Sequence, residues 1–334
     1  MKYHVQPMKS WGSMSPGVIE EWKKNRCDIV FTIQRMARKP VSNCTAYSGL
    51  GKDLPMIAVM AASTTRNIKE PSPTTMALFT YLLPSLMRTL DCGFRFEYYL
   101  GYDQGDVYYD DASGMQEATS WIDKNVKQPL ANRKISFEFR PIRVHNTVKK
   151  PGPVFLEMAR AAYKNGAAYF YRINDDTELL GTWPKAFVRT LESLGSPYGV
   201  VGPLCNQGND KILTHDFVHR VHMDVFEMNY YPPELTDWWM DDWISFVYGQ
   251  TRTFKARHVP VIHHTGAHGQ RYQVDKSHEQ LLGNLVRLGT QKIRQYMLKH
   301  GVNDTVLKKF DRDNFDLSFA HRDIPFQIKS NLHE

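Results

Sequence analysis

The chain has 334 residues, 42% of them hydrophobic and 23% charged, and a formal net charge of +7. That balance belongs to a globular protein with ample core, in one large domain or two small ones, and excludes a disordered or fibrous chain. No apolar run approaches the roughly eighteen residues of a membrane helix, and the basic residues are scattered, without the patches or motifs of a nucleic-acid binder.

Residues 1–52 read as a loosely organised extension, with one short helical pattern from Val18 to Lys24 and a linker, SGLGKDLP. From Met56 the pattern sharpens. MIAVMAAS is short and wholly apolar, a buried strand. After the loop STTRNIKEPSP comes a helix with Ser72 as N-cap and Pro73 at its first position. Leu78, Leu82, Leu86 and Leu90 form its stripe, and Pro84 bends it. FRFEYYLGYD and KISFEFRPIRV are the second and third strands. A helix starts at Pro153 and stops at Gly166, with Val154, Met158 and Ala162 on one face. AAYFYRIN then returns as a strand and ends on Asn174-Asp175-Asp176-Thr177.

Downstream, WPKAFVRTLESLG is a helix and YGVVGPL a strand. HDFVHRVHMDVFE and ELTDWWMDDWISFVYG read as helices, and RTFKARHVPVIHHTGAHG contains a strand that ends in histidines. EQLLGNLVRLGTQKIRQYMLKHG is a long amphipathic helix stopped by Gly301, and a polar tail begins at Asn303. The order β-α-β-…-β-α-β predicts a mixed, mainly parallel sheet with helices on both faces. Ligands of such sheets gather beyond the carboxyl ends of the strands. A catalytic domain is expected over 53–300, divided near 180 into a nucleotide-binding and an acceptor-binding half, with a tail at 301–334.

Asn174-Asp175-Asp176 has two readings: a capped loop, or a hard-cation site at a strand end. Asp241-Asp242, and His263-His264 with His268, follow apolar segments in the same way. The order of these three clusters resembles the GT-A-fold glycosyltransferases, over roughly Met56 to Gln295. RINDDTEL stands where that family has its metal-binding Asp-x-Asp, with Asn174 at the first position. WWMDDWIS stands where inverting members carry the catalytic base, and VPVIHHTGAHG where a histidine completes the metal shell.

The resemblance implies transfer of a sugar from a nucleoside diphosphate sugar, UDP by the family's habit, to a hydroxyl of a glycan or glycoprotein. The implied cofactor is Mn²⁺ or Mg²⁺. The chemistry asks for the same groups: a leaving diphosphate wants a hard cation, and an acceptor hydroxyl wants a carboxylate base. Asp176 is expected to bind metal directly, assisted by Asp175 or Asn174, with a nitrogen from His263 or His264. Imidazole favours Mn²⁺. Asp242 is expected to be the base, and Asp241 to cap its helix or hold the acceptor. Trp238 is expected to stack on the acceptor sugar.

Nucleotide contacts are expected from Ala61, Ser63, Arg66, Asp103 and Lys150, and from His268 and Arg271 in a glycine-rich segment. Arg172 is placed to pair with the acids that follow it. Two other readings stay open: a metal-dependent hydrolase built on the histidines, and an inactive binding module. Cys27 and Cys44 are placed to close a small loop in an oxidising compartment, although four thiols are equally ordinary in a cytosolic chain. The chain is expected in the Golgi or ER lumen if an anchor has been removed, and in the cytoplasm otherwise.

Overall fold

The computed structural model describes Cys44 and residues 54–206, 212–267 and 271–315. The chain divides into two compact units, 1–40 and 41–334, and the description concerns the second. The Val18–Lys24 helix, Cys27, the loop 207–211, His268 and the tail beyond 315 lie outside the described residues.

Eight strands form one sheet: β1 (Met56–Ala62), β2 (Arg95–Asp103), β3 (Phe137–Val144), β4 (Tyr169–Arg172), β5 (Thr177–Leu179), β6 (Val200–Cys205), β7 (Asp216–His219) and β8 (Thr253–His263). Their order is β3-β2-β1-β4-β7-β6-β8-β5. β7 runs antiparallel to both its neighbours and β5 antiparallel to β8, while the other pairings are parallel. This is the mixed, mainly parallel sheet predicted from the order of segments.

Strand alternation divides the core. Ile57, Val59 and Ala61 face one apolar layer. It is covered by α1 (Leu83–Thr89), α2 (Ala112–Ile122), α3 (Gln128–Asn132) and α5 (Pro184–Ser193). Met56, Ala58 and Met60 face the other. That layer carries α4 (Pro151–Lys164), α6 (Val221–Val225), α7 (Trp239–Val247), α8 (His278–Lys299) and α9 (Asp304–Phe315). No helix among the described residues is long and apolar enough to cross a membrane.

Several sequence expectations need correction. The helix expected from Pro73 begins at Leu78, in wide π-type turns over Leu78–Leu82 that give way at Leu83 to α1, with Pro84 in its first turn. A proline without an N–H, and with a ring that crowds the preceding turn, suits that junction. HDFVHRVHMDVFE is not one helix: Asp216–His219 is β7, paired on both sides, and only Val221–Val225 is helical. The stretch between the second and third strands contains α2 and α3, and the polar tail contains α9. Cys44 pairs with Cys92 rather than Cys27, the Cα atoms 5.6 Å apart.

α4 starts at Pro151, where Gly152 permits close packing: a Cβ there would stand 2.7 Å from the Cα of Thr236. Its N-terminus is thereby seated against the segment leading into α7.

Candidate active site

A cleft of about 860 Å³ opens at the carboxyl ends of β1, β2 and β4. Its lining draws together residues far apart in the chain: Ser63, Arg66, Asp103, Lys150, Asn174, Asp175, Asp176, Trp238, Asp241, Asp242, His263 and Arg271.

The wall formed by the ends of β1 and β2 is held by buried polar groups. After β1, Asp106 accepts hydrogen bonds from Thr65 N and Thr65 Oγ1, each 2.8 Å, and fixes the loop that carries Thr64 and Arg66. Arg66 pairs with Asp103 at 3.3 Å and donates to the Arg271 carbonyl at 2.5 Å. Asp103 also accepts from Asn146 Nδ2 at 2.8 Å, and the same nitrogen donates to Lys150 O. Lys150 Nζ is tied to the wholly buried Asp237 at 3.0 Å. Ala61 does not line the cleft. Strand alternation turns it into the core, and Ala62 stands in the wall instead.

Asp175 is fully engaged. Ser63 Oγ donates to Oδ2 at 2.7 Å, and Arg271 grips both oxygens at 2.8 Å each. Asp176 is 5% exposed, and its Oδ1 makes no hydrogen bond. His263 Nε2 stands 2.9 Å from that oxygen, at ion-pair distance, and 3.2 Å from Asn174 Nδ2. Burial opposes both charges, yet the contact prevails: His263 and then Arg271 hold the Asp176 carboxyl below its usual range, and Asp176 holds the imidazole well above its own.

What brings His263 there is β5, which pairs antiparallel with β8 and sets Thr177 opposite His263. His264, one residue on, falls on the other side. It contacts Glu178 Oε2 at 3.1 Å, stacks on Tyr81, and is not part of the cleft wall. The expectation that either histidine serves as a ligand therefore narrows to His263. No group of three or more His, Cys, Asp or Glu side chains among the described residues is arranged as a metal centre. The donors at hand are Asp176, His263 and the Asn174 amide. Such a set suits a hard cation that completes its shell from a phosphorylated ligand.

On the opposite wall, α7 carries Asp241 and Asp242 in its first turn. Neighbours on a helix project about 100° apart, and the two carboxylates have different surroundings. Asp241 is bound by Arg172. Burial pushes its pKa up to about 6, against the pull of that guanidinium. The Asp242 carboxyl is drawn down only by its own backbone N–H, and no arginine stands against it as one does against Asp241. Burial, and then the charge of Asp241, push it up to about 7. Arg172 pairs with Asp216 and Asp241, not with the acids that follow it in sequence. Trp238, the residue before α7, lines the cleft and is 54% exposed.

No protein-family model matches the chain, and no curated protein does. Among solved structures it is similar to S. aureus TarS residues 1–349 in complex with UDP, at 9% identity and a TM-score of 0.41, over 80% of this chain and 74% of that one. A second TarS structure aligns at 9% identity and TM-score 0.38, with 76% of this chain spanning 42% of its length. A third, of TarS 1–349, aligns at 11% identity and TM-score 0.35, over 80% of this chain and 73% of that one.

Sequence reasoning missed several lining groups. Asn146 and Thr214 belong to segments with no periodicity or motif to single them out, and Tyr272 was passed over although it follows Arg271 in the glycine-rich segment. His215, buried against Thr177 Oγ1 at 2.6 Å and edge-on to His263, was equally invisible. Arg172 did leave a signal, as the lone cation in an apolar strand.

Proposed function

We propose that the protein is a glycosyltransferase that uses a nucleoside diphosphate sugar, UDP-linked by the habit of the GT-A-fold family that its motifs resemble, and inverts the anomeric carbon with Asp242 as base. The observation that carries this reading is Asp242 itself: a carboxyl with no cation against it, raised by burial to about 7, in the same cleft as Asp176 and His263. A base poised near neutrality is suited to take a proton from an attacking hydroxyl.

Asp176 and His263 would hold a divalent cation, with Asn174 in reach and Mn²⁺ favoured by the mixed oxygen and nitrogen donors. When bound, the cation supplies charge stabilisation for the leaving diphosphate. The chain's own groups do the rest. Asp103, Arg66 and Asn146 frame a polar corner for the nucleoside. Lys150 and the N-terminus of α4 add positive potential beside it. Asp175 keeps Arg271 in the cleft wall, and Trp238 offers an exposed indole face to an acceptor sugar. The partners are thus a sugar nucleotide and a glycan or glycoprotein hydroxyl. The Cys44–Cys92 bond supports an oxidising compartment.

The test is a panel of sugar nucleotides incubated with the protein and Mn²⁺, read by release of nucleoside diphosphate, with product anomers assigned by NMR. Release from one or a few donors, inverted at the anomeric carbon, is expected. Hydrolysis of unrelated esters with no sugar-nucleotide turnover would replace this reading with that of a hydrolase. Nucleotide binding without turnover would point to a binding module.

A further inference from the structure

Arg172 is the residue whose surroundings the transfer reaction, as derived so far, does not require. It is 2% exposed, yet its guanidinium edges the cleft. Nε donates to Tyr231 OH at 2.8 Å and lies 3.0 Å from Asp216 Oδ2. Nη1 donates to Thr214 O at 2.7 Å, and Nη2 donates to Asp241 Oδ1. Asp216 has no remaining need of its own, since Tyr230 OH and Tyr231 OH each donate to it at 2.6 Å. One planar cation therefore binds the end of β4, the start of β7, the Tyr231 segment and the first turn of α7.

The placement ties the two halves of the site together. Arg172 and Asn174 lie two residues apart and both line the cleft, while Ile173 between them is buried in the opposite core. The strand that delivers Asn174 and Asp176 is thus the strand whose arginine fastens the helix bearing Asp242. On that helix Arg172 takes Asp241 and leaves its neighbour alone. Guanidinium geometry is needed for this: its five donors diverge in a plane, whereas an ammonium is a point charge.

We propose that Arg172 is the positioning residue of the transfer reaction, fastening Asp241 to the sheet so that Asp242 is the carboxylate presented to the acceptor hydroxyl. This rests on the reading of Asp242 as base, and the two stand or fall by different variants. Arg172 touches no reacting atom. It acts by fixing the turn that carries the base, where a displacement of about 1 Å is enough to lose about 10²-fold in rate.

The experiment uses the sugar nucleotide selected by the donor panel, with water as acceptor, and follows release of nucleoside diphosphate. Arg172→Met, Arg172→Lys, Asp241→Leu and the double variant Arg172→Met/Asp241→Leu are compared. Arg172→Met is expected to lower kcat about 10²-fold. KM for the donor and the thermal shift given by UDP with Mn²⁺ should stay at wild-type values, which general loosening of the fold would not allow. Arg172→Lys should give no rescue. The double variant should be no slower than Arg172→Met alone, because both substitutions cut the same tie.

Multiplying effects in the double variant would overturn the proposal, as would an Arg172→Met protein with wild-type kcat. If Arg172→Met does not fold, Asp241→Leu decides: it removes the acceptor of Arg172 Nη2 but keeps the bonds of Arg172 to Asp216, Tyr231 and Thr214, and wild-type kcat in that variant sinks the proposal. Undiminished turnover by Asp242→Asn would instead remove the base reading beneath it.

Discussion

Asp242→Asn separates a catalytic carboxyl from a structural one, because it should act in opposite directions on activity and stability. Burial and the adjacent Asp241 raise the Asp242 carboxyl from its ordinary value of 3.8 to about 7 in the folded chain. For a carboxyl raised on folding, the native state binds the proton more tightly than the unfolded chain does. Stability from this group is therefore fully present below about pH 4 and lost as pH rises toward 7. Above that, keeping Asp242 ionised costs about 4 kcal/mol by linkage, and about half of that after allowance for water at the cleft mouth. Asparagine carries no such cost. At pH 8, Asp242→Asn should melt roughly 5 °C higher than wild type, with the gain vanishing near pH 4.

Turnover should move the other way. Loss of a general base costs about 10²–10⁴-fold in kcat, while UDP affinity is unchanged. In the wild type, kcat should fall as pH drops below about 7, where the carboxyl takes up its proton. Differential scanning fluorimetry across pH, paired with nucleotide-release kinetics, reads both effects. Lower stability at pH 8, or turnover within tenfold of wild type, would refute the reasoning.

Asp176→Asn and His263→Gln should abolish the extra thermal shift that Mn²⁺ adds to UDP, whereas His264→Gln, held by Glu178 outside the cleft, should preserve it. Cys92→Ser, or reduction of the wild type, should destabilise the fold by about 2–4 kcal/mol, measured by urea denaturation, and the two treatments should not add. Gly152→Ala forces a methyl group against the Thr236 backbone; it should cost about 1–3 kcal/mol and, by tilting the N-terminus of α4, weaken UDP binding in calorimetry.

The sequence by itself determined the alternation of apolar strands and amphipathic helices, since burial and backbone periodicity are local properties written in each segment. It also placed Asn174, Asp175, Asp176, Asp241 and Asp242 at the ends of apolar segments, where a mainly parallel sheet gathers its ligands. β7 escaped it because four residues between two antiparallel partners owe their form to pairing, not to propensity. The choice between His263 and His264 belonged to the tertiary structure, for it turns on the register of the three-residue strand β5. So did the unequal fates of Asp241 and Asp242, identical in chemistry and adjacent in the chain, which differ because Arg172 reaches one of them. The same holds for Cys44 and Cys92, 48 positions apart, which only folding brings together. Partner choice across such distances depends on where the backbone carries each side chain, and that is fixed by the whole core at once.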